Sequence, residues 1–527
     1  MKKSFSKVLS FVLSLIFVLS AIFCVPVNAA DNTPGTDIPL IYVLGQGVPL
    51  YRTDENGGLT RIYSVTIPDG FIEAAVKENI GVFAKAVFTQ KWEEFGGVMH
   101  DIMGELYGPL ALDENGEVTD GSINASYWKN VDINPYTVNG KYGTEQFTFM
   151  YDFRLDPYKI ADDLHGYIEK VMEVTGQDHV ALLGRCLGAC ITAAYMEKYD
   201  GEYISDLIWY CGAHNGATVC SKLFAGDIYL DDDGIERFVY DMQLSADEVK
   251  DELLKSFITL FNKTYGLDLA CWAVNNVWND IYLDIMPQVL IETFGTWPGY
   301  WSMVSDEDYI RAKENVFHNA DPVKYANFID IIDKYHYNVQ VKIPELLNKF
   351  ANRGIDIYNV SKYGYQTIPV NAPSDMLSDS TCGLHHASCG ATVTSLYTVF
   401  DDDYLANARL KGTDKYISPD KQVDASTCLF PDRTWFIKNL EHKDFPEYVN
   451  NYFDRMVNVD GFNVNSDEDF PQYAVYLNGS FVKMTEDNCD TTTQKYKHTF
   501  FEALKTFVKS LIKVIIDLIK TKINVTK

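Results

Sequence analysis

Cys186 stands between two glycines, Gly184 and Gly188, in the run His179-Val-Ala-Leu-Leu-Gly-Arg-Cys-Leu-Gly-Ala189. The apolar residues before it predict a buried strand, and Ile191 to Lys198 after it predict a helix, so the cysteine falls on a sharp strand-to-helix turn. A nucleophile on so tight a turn sits at strained backbone angles, and residues two before and two after must lack a Cβ for the chains to pass. The turn aims the side chain at the helix N-terminus, where free N–H groups and the helix dipole stabilise a thiolate or an oxyanion. The chemistry this suits is attack of a thiolate on a carbonyl carbon through a covalent acyl intermediate. Such a thiol needs a base to take its proton, and the base needs an orienting acid. The chain holds ten histidines and 73 acidic residues, so position has to choose among them.

The Gly-x-Cys-x-Gly turn resembles the nucleophile elbow of α/β-hydrolases, with cysteine where serine is usual. That resemblance implies a chain order of nucleophile, acid, histidine, with the acid after the strand that follows an inserted lid and the histidine after the final strand. His100, His165 and His179 precede the turn, His214 lies in a His-x-Gly context that is commonly structural, and His318 and His336 fall in the expected lid. Only His385, His386, His442 and His498 come late enough, and His442, in the loop after the strand-like run Cys428 to Ile437, is best placed. For the acid, the loop from Asn371 to Gly383 offers Asp379, with Asp375 as second choice. Two backbone N–H groups should hold the oxyanion. Leu187, directly after the nucleophile, supplies one, and Gln46, in the Gly45-Gln46-Gly47 loop after the first strand, supplies the other.

Positioning these residues requires strands at Ile38 to Leu44, Phe147 to Asp152, Leu207 to Cys211 and Ile355 to Val360, with an amphipathic helix from Ile160 to Thr175. A hairpin is expected from Val48 to Thr53 with Leu59 to Val65, and helix across residues 69–107. Residues 217–350 break the alternation with helical periods and few strands. The expected architecture is α/β, a mostly parallel sheet flanked by helices, with core segments 30–216 and 351–498 and a large helical lid between. Trp297, Tyr300 and Trp301 make one stretch of that lid unusually aromatic; they either form its core or line an acyl pocket. Phe500 to Ile523 repeats apolar residues at helical spacing with Lys505, Lys509, Lys513 and Lys520 along the other side. Such a helix docks on the body or lies on a surface or membrane.

Tyr151-Asp152-Phe153-Arg154-Leu155, ahead of a helix and then the elbow, is similar to the Tyr-Asp-Trp-Arg-Leu segment of the lecithin:cholesterol acyltransferase-like branch of α/β-hydrolases. Trp297-Pro-Gly-Tyr-Trp301, Tyr363-Gly-Tyr365 and Asp379-Ser-Thr with Ser388 fall in that family's order, across residues 38 to 445. The resemblance implies Asp379 as acid and His442 as base, and an acyl ester, thioester or lipid-like substrate passed to water or an alcohol. The elbow, Gly-Arg-Cys-Leu-Gly, departs from the family's usual Gly-His-Ser-x-Gly. The alternative is a hydrolase fold without turnover that binds a lipid or a cell-surface partner.

Met1-Lys2-Lys3, an apolar run to Val27 and then Asn28-Ala29-Ala30 read as a secretory leader, cleaved after Ala29 or Ala30, so an exported protein is expected. A formal net charge of −28 disfavours nucleic acid as a partner. With 14% aromatic residues the chain has ample material for a core and an apolar cleft. Without Cys24 of the leader the cysteines number an odd nine, which leaves at least one free thiol. Cys382 with Cys389 is the nearest pairing, and Cys211 with Cys220 a weaker one. No zinc-ligand spacing, calcium loop, phosphate loop or dinucleotide fingerprint occurs, so neither metal nor cofactor is expected.

Overall fold

Continuous apolar runs, buried on both faces in the central strands, build an eight-stranded sheet whose edge strand is exposed. In chain order its strands are β1 (Leu40–Val43), β2 (Phe147–Phe149), β3 (Val180–Arg185), β4 (Ile204–Tyr210), β5 (Asp356–Tyr363), β6 (Thr434–Lys438), β7 (Tyr473–Leu477) and β8 (Ser480–Lys483). They lie side by side in the order β2-β1-β3-β4-β5-β6-β7-β8. All neighbours are parallel except β7 and β8. The computed structural model describes residues 35–527 apart from 47–48, 55–57, 64–80, 83–84, 86–88, 90, 122, 125–131, 242–247, 368–376, 490–498 and 526–527. The expected leader, Gly47, Asp375 and His498 lie outside the described residues.

The helices that matter here are α1 (Glu93–Tyr107), α2 (Pro157–Thr175), α3 (Leu187–Lys198), α4 (Thr218–Ala225), α5 (Asp232–Asp241), α6 (Glu248–Lys263), α7 (Gly266–Ile291), α8 (Asp306–Val316), α9 (Ala326–Asn338), α10 (Ile343–Ala351), α11 (Asp402–Lys411), α12 (Val449–Asn458) and α13 (Phe500–Val525). Strand alternation splits the core into two layers. Ile41, Val43, Leu182, Leu207 and Trp209 face α2, α3 and the helical block, while Leu40, Tyr42, Leu183, Ile208 and Tyr210 face α12. Helix α3 is buried from Leu187 to Met196, which explains why its sequence is apolar all round rather than striped. Helix α2 starts at Pro157, with the Asp156 carboxylate accepting the Tyr158 N–H at 2.9 Å, a turn earlier than its apolar period suggests.

Between β4 and β5 the described residues of 217–350 carry helices and no strand. The hairpin is present as Leu50–Thr53 against Leu59–Tyr63. Two expectations need correction. In the run Cys428 to Ile437 only Thr434 onward is strand; bends at Cys428 to Phe430 and a single 3-10 turn at Pro431–Arg433 precede it, and Pro431 cannot donate to a ladder. β6 is not the final strand either. β7 extends the parallel sheet, and β8 folds back on it through Asn478-Gly479, at φ +51° and +85°. That is the left-handed pair a two-residue hairpin needs, and Asn-Gly is its usual sequence.

Candidate active site

Parallel pairing sets β1, β3, β4, β5 and β6 in register, so their carboxyl ends come out at one edge of the sheet. Val43 lies opposite Gly184, Tyr210 opposite Arg185, and Tyr363 opposite Lys438. The loops that follow these strands carry Gly45, Cys186, Asp379 and His442, the edge where parallel α/β sheets hold their ligands.

Cys186 has φ +53° and ψ −124°, a conformation that costs a non-glycine residue of order 1–3 kcal/mol and persists only where the surroundings impose it. They do so here through contacts of the main chain. The Cys186 carbonyl accepts the N–H groups of Ala189 and Ala213, both at 3.0 Å. A Cβ on Gly188 would stand 2.0 Å from the Val43 carbonyl oxygen, and one on Gly184 would stand 2.8 Å from Ala189 Cα. Both glycines are therefore required by close packing of the turn against β1 and against its own helix.

His442 and Asp379 are joined twice. The His442 imidazole donates from Nδ1 to Asp379 Oδ2 at 2.7 Å, and its main-chain N–H donates to the Asp379 carbonyl, also at 2.7 Å. Asp379 Oδ1 accepts the N–H groups of Thr381 at 3.1 Å and Cys382 at 2.8 Å. With Nδ1 so engaged, Nε2 is left for Cys186, and the two side chains are hydrogen-bonded. Asp379 is 1% exposed and His442 9%, while Cys186 is half-buried.

The electrostatics follow from that geometry. Burial pushes the Cys186 thiol up, but the His442 charge and hydrogen bond, the Leu187 N–H and Arg185 outweigh it and hold the thiol below its ordinary value. Burial pushes His442 down, yet Asp379 and Cys186 together raise it to about 9. Burial likewise opposes ionisation of Asp379, and His442, Lys362 and the Cys382 N–H overcome it. All three shifts favour the charged forms, so thiolate, imidazolium and carboxylate stabilise one another. Other buried thiols behave oppositely: burial drives Cys190 and Cys211 up to about 12.

Leu187, the expected first oxyanion donor, directs its N–H at the Cys186 sulfur. The loop expected to supply the second packs directly on the nucleophile, since a Cβ on Gly45 would stand 2.7 Å from Cys186 Cβ and 3.4 Å from Sγ. The Gln46 side-chain amide is fixed by donation to the Tyr63 hydroxyl at 2.7 Å and by the hydroxyl of Tyr300. Of the three aromatics of the helical block, Tyr300 reaches this loop. Trp297 and Trp301 are 0% and 1% exposed, and their indole N–H groups are spent on the carbonyls of Leu110 and Gly295. The two tryptophans are core of the helical block rather than a surface open to a ligand.

Several contributors carry no obvious motif. Arg185 donates to the carbonyls of His442 at 3.2 Å and Lys443 at 3.1 Å. Lys362, 1% exposed, donates to the carbonyls of Glu441 at 2.6 Å, His442 at 2.9 Å and Asp444 at 2.9 Å. These two buried cations clamp the loop that carries His442. A lysine inside β5, which is buried from Ile357 to Tyr363, was the available signal, since an unpaired buried ammonium is too costly to keep. The Tyr151 hydroxyl donates to the Leu44 carbonyl and so braces the loop that carries Gly45.

The expected disulfides are absent: all nine described cysteines are free thiols. Cys382 is drawn toward the acid, and its sulfur, an Asp379 oxygen and a His442 nitrogen lie within 4.8 Å of one another. Cys389 turns instead to His214, with Sγ 3.1 Å from Nε2. Cys211 is wholly buried at the end of β4, whereas Cys220 lies on α4. The Asp379–Cys382–His442 trio is the one group with metal-ligand types and spacing among the described residues, but its carboxylate and imidazole are bonded to each other. His385 and His386 are taken up elsewhere, His385 donating to the Ala391 carbonyl at 2.8 Å and His386 facing Glu307 at 3.6 Å. Comparison with protein-family models and with curated proteins gives no match, which leaves the geometry of Cys186, His442 and Asp379 as the ground for a functional assignment.

Proposed function

We propose that the protein is an exported acyl hydrolase or acyltransferase of the α/β-hydrolase fold, with residues 217–350 as its lid. The observation that carries this reading is the continuous hydrogen-bonded line from Asp379 through His442 to a thiol held below its ordinary pKa. Nucleophile, acid and base follow β3, β5 and β6 in the chain order that this fold uses.

In the reaction, the Cys186 thiolate adds to the acyl carbonyl of an ester or thioester, forming a C–S bond while the carbonyl electron pair moves onto oxygen. The Leu187 N–H, together with the Gly45–Gln46 loop, receives that negative oxygen. Collapse restores the carbonyl and expels the alkoxide or thiolate, which takes the proton from His442 Nε2. The acyl-thioenzyme stays activated toward a second nucleophile. Water or an alcohol then gives its proton to neutral His442 and attacks, and the acid or new ester leaves as Cys186 regains its thiolate.

An armed thiol also favours turnover over a fold that only binds, because a binding protein has no need of it. The deciding experiment measures iodoacetamide labelling of Cys186 against pH, alongside turnover of short and long acyl esters. Rapid labelling at neutral pH, lost in His442→Ala, together with turnover lost in Cys186→Ala, is the expected result. Turnover that survives Cys186→Ala would overturn the mechanism.

A further inference from the structure

Helix α13 meets the rest of the molecule along α6, and it does so with only part of its apolar surface. Ala503 and Ser510 are buried, the Phe507 ring lies 6.4 Å from that of Phe257, and the Ser510 hydroxyl donates to Glu252 at 3.2 Å. Residues 503, 507 and 510 share one face of a helix. A second apolar row is left outside. Phe501, Leu504, Val508, Leu511 and Ile512 are 79%, 38%, 45%, 38% and 52% exposed. Single exposed apolar residues are ordinary, but a row at helical spacing marks a contact surface.

The charge around this row identifies its partner. Lys505 and Lys509 line the same shallow groove as Phe501, Leu504, Val508 and Ile512. From Phe500 to Val525 the sequence carries five lysines, 505, 509, 513, 520 and 522, and two acids, Glu502 and Asp517, for a net +3 in a chain of net −28. A basic, amphipathic helix on a strongly acidic protein complements an anionic lipid surface. A second copy paired through the same row would bring lysine against lysine. No helix among the described residues is long and apolar enough to cross a membrane, so a membrane contact of α13 lies in the plane of the surface.

We propose that α13 docks the protein on an anionic lipid surface, with Phe501, Leu504, Val508 and Ile512 at the acyl boundary and Lys505, Lys509 and Lys513 on the headgroups. The docking is independent of Cys186 and goes beyond the acyl chemistry. It is tested by co-sedimentation of the full chain with vesicles of phosphatidylcholine mixed with phosphatidylglycerol, and with vesicles of phosphatidylcholine alone. Binding to the mixed vesicles, weakening as salt rises, is the expected result. Lys505→Gln/Lys509→Gln/Lys513→Gln should weaken it about a hundredfold, at roughly fivefold per lysine near the surface. Phe501→Asp/Ile512→Asp should weaken it at least about tenfold, with melting temperature and Cys186 labelling rate unchanged. The proposal is overturned by binding to neither vesicle, by equal binding to both, or by lysine variants that bind as the parent does. A dimer in light scattering that Phe501→Asp/Ile512→Asp dissolves would overturn it too.

Discussion

At the scale of single residues, the thiolate of Cys186 and the imidazolium of His442 stabilise each other inside a site that would otherwise neutralise both. Iodoacetamide labelling of Cys186 should set in at a lower pH than that of an ordinary thiol, and His442→Ala should move that onset upward. The raised His442 value also has a stability consequence. Its contribution is fully present below the unfolded value of about 6.5 and is lost as pH rises through about 9. The lowered Cys186 thiol acts in the opposite sense over the same window, so the histidine contribution is read with the thiol removed: urea midpoints should fall across the window in Cys186→Ala, where Asp379 still raises His442, and stay flat in Cys186→Ala/His442→Ala. Lys362 acts one step back as a positioning residue, because it touches the carbonyls of the loop and not the reacting atoms. Lys362→Met leaves three buried acceptors without their donor, each lost partner costing about 1–3 kcal/mol. Turnover should drop while the pH onset of labelling moves upward, a signature that a merely packed lysine would not produce.

At the scale of elements, the β3-turn-α3 unit exists because two glycines let it press against its neighbours. Gly188→Ala places a methyl group 2.0 Å from the Val43 carbonyl oxygen, a contact with backbone that cannot rotate away. The turn must shift, so Gly188→Ala should lose activity and about 2 kcal/mol or more of stability, read by urea denaturation and by the alkylation rate. This unit was legible in the chain because strand, turn and helix are consecutive and their signals are local. The Asn478-Gly479 hairpin was equally local and equally readable, but an order in which the histidine follows the last strand hid it. Cys428 to Arg433 misled in the other direction, since its apolar residues pack while bends and the 3-10 turn at Pro431–Arg433 keep the backbone out of the ladder.

At the scale of the whole molecule, the loop after β2 joins the sheet to the helical block. Arg154 donates to both oxygens of Asp152, at 2.9 and 2.6 Å, and to the Leu110 carbonyl at 2.8 Å. Its own carbonyl accepts the Gly299 N–H at 3.1 Å, beside the aromatic turn that carries Trp297 and Tyr300. Arg154 and Asp152 are 1% and 8% exposed, so Asp152→Asn strands a buried guanidinium. That change should cost about 3–5 kcal/mol in urea denaturation. It should also loosen Tyr300 over Gln46, raising KM more than it lowers kcat for a substrate held by that loop.

The sequence by itself determined the strand-turn-helix around Cys186, the alternation of strands and helices, the helical block and the amphipathic tail, because each depends on residues close together in the chain. It also narrowed the base to His442 and the acid to Asp379, through chain order and family resemblance. Only the tertiary structure decided that these two are joined by a 2.7 Å hydrogen bond, with Cys186 on the remaining nitrogen. Only there do Arg185 and Lys362 become clamps, Tyr151 a brace, and Trp297 and Trp301 core. The cysteines make the same point. Six residues separate Cys382 from Cys389, yet the fold sends one to Asp379 and the other to His214. A pairing is set by the direction of side chains in space, and that direction is fixed by packing among segments far apart in the chain.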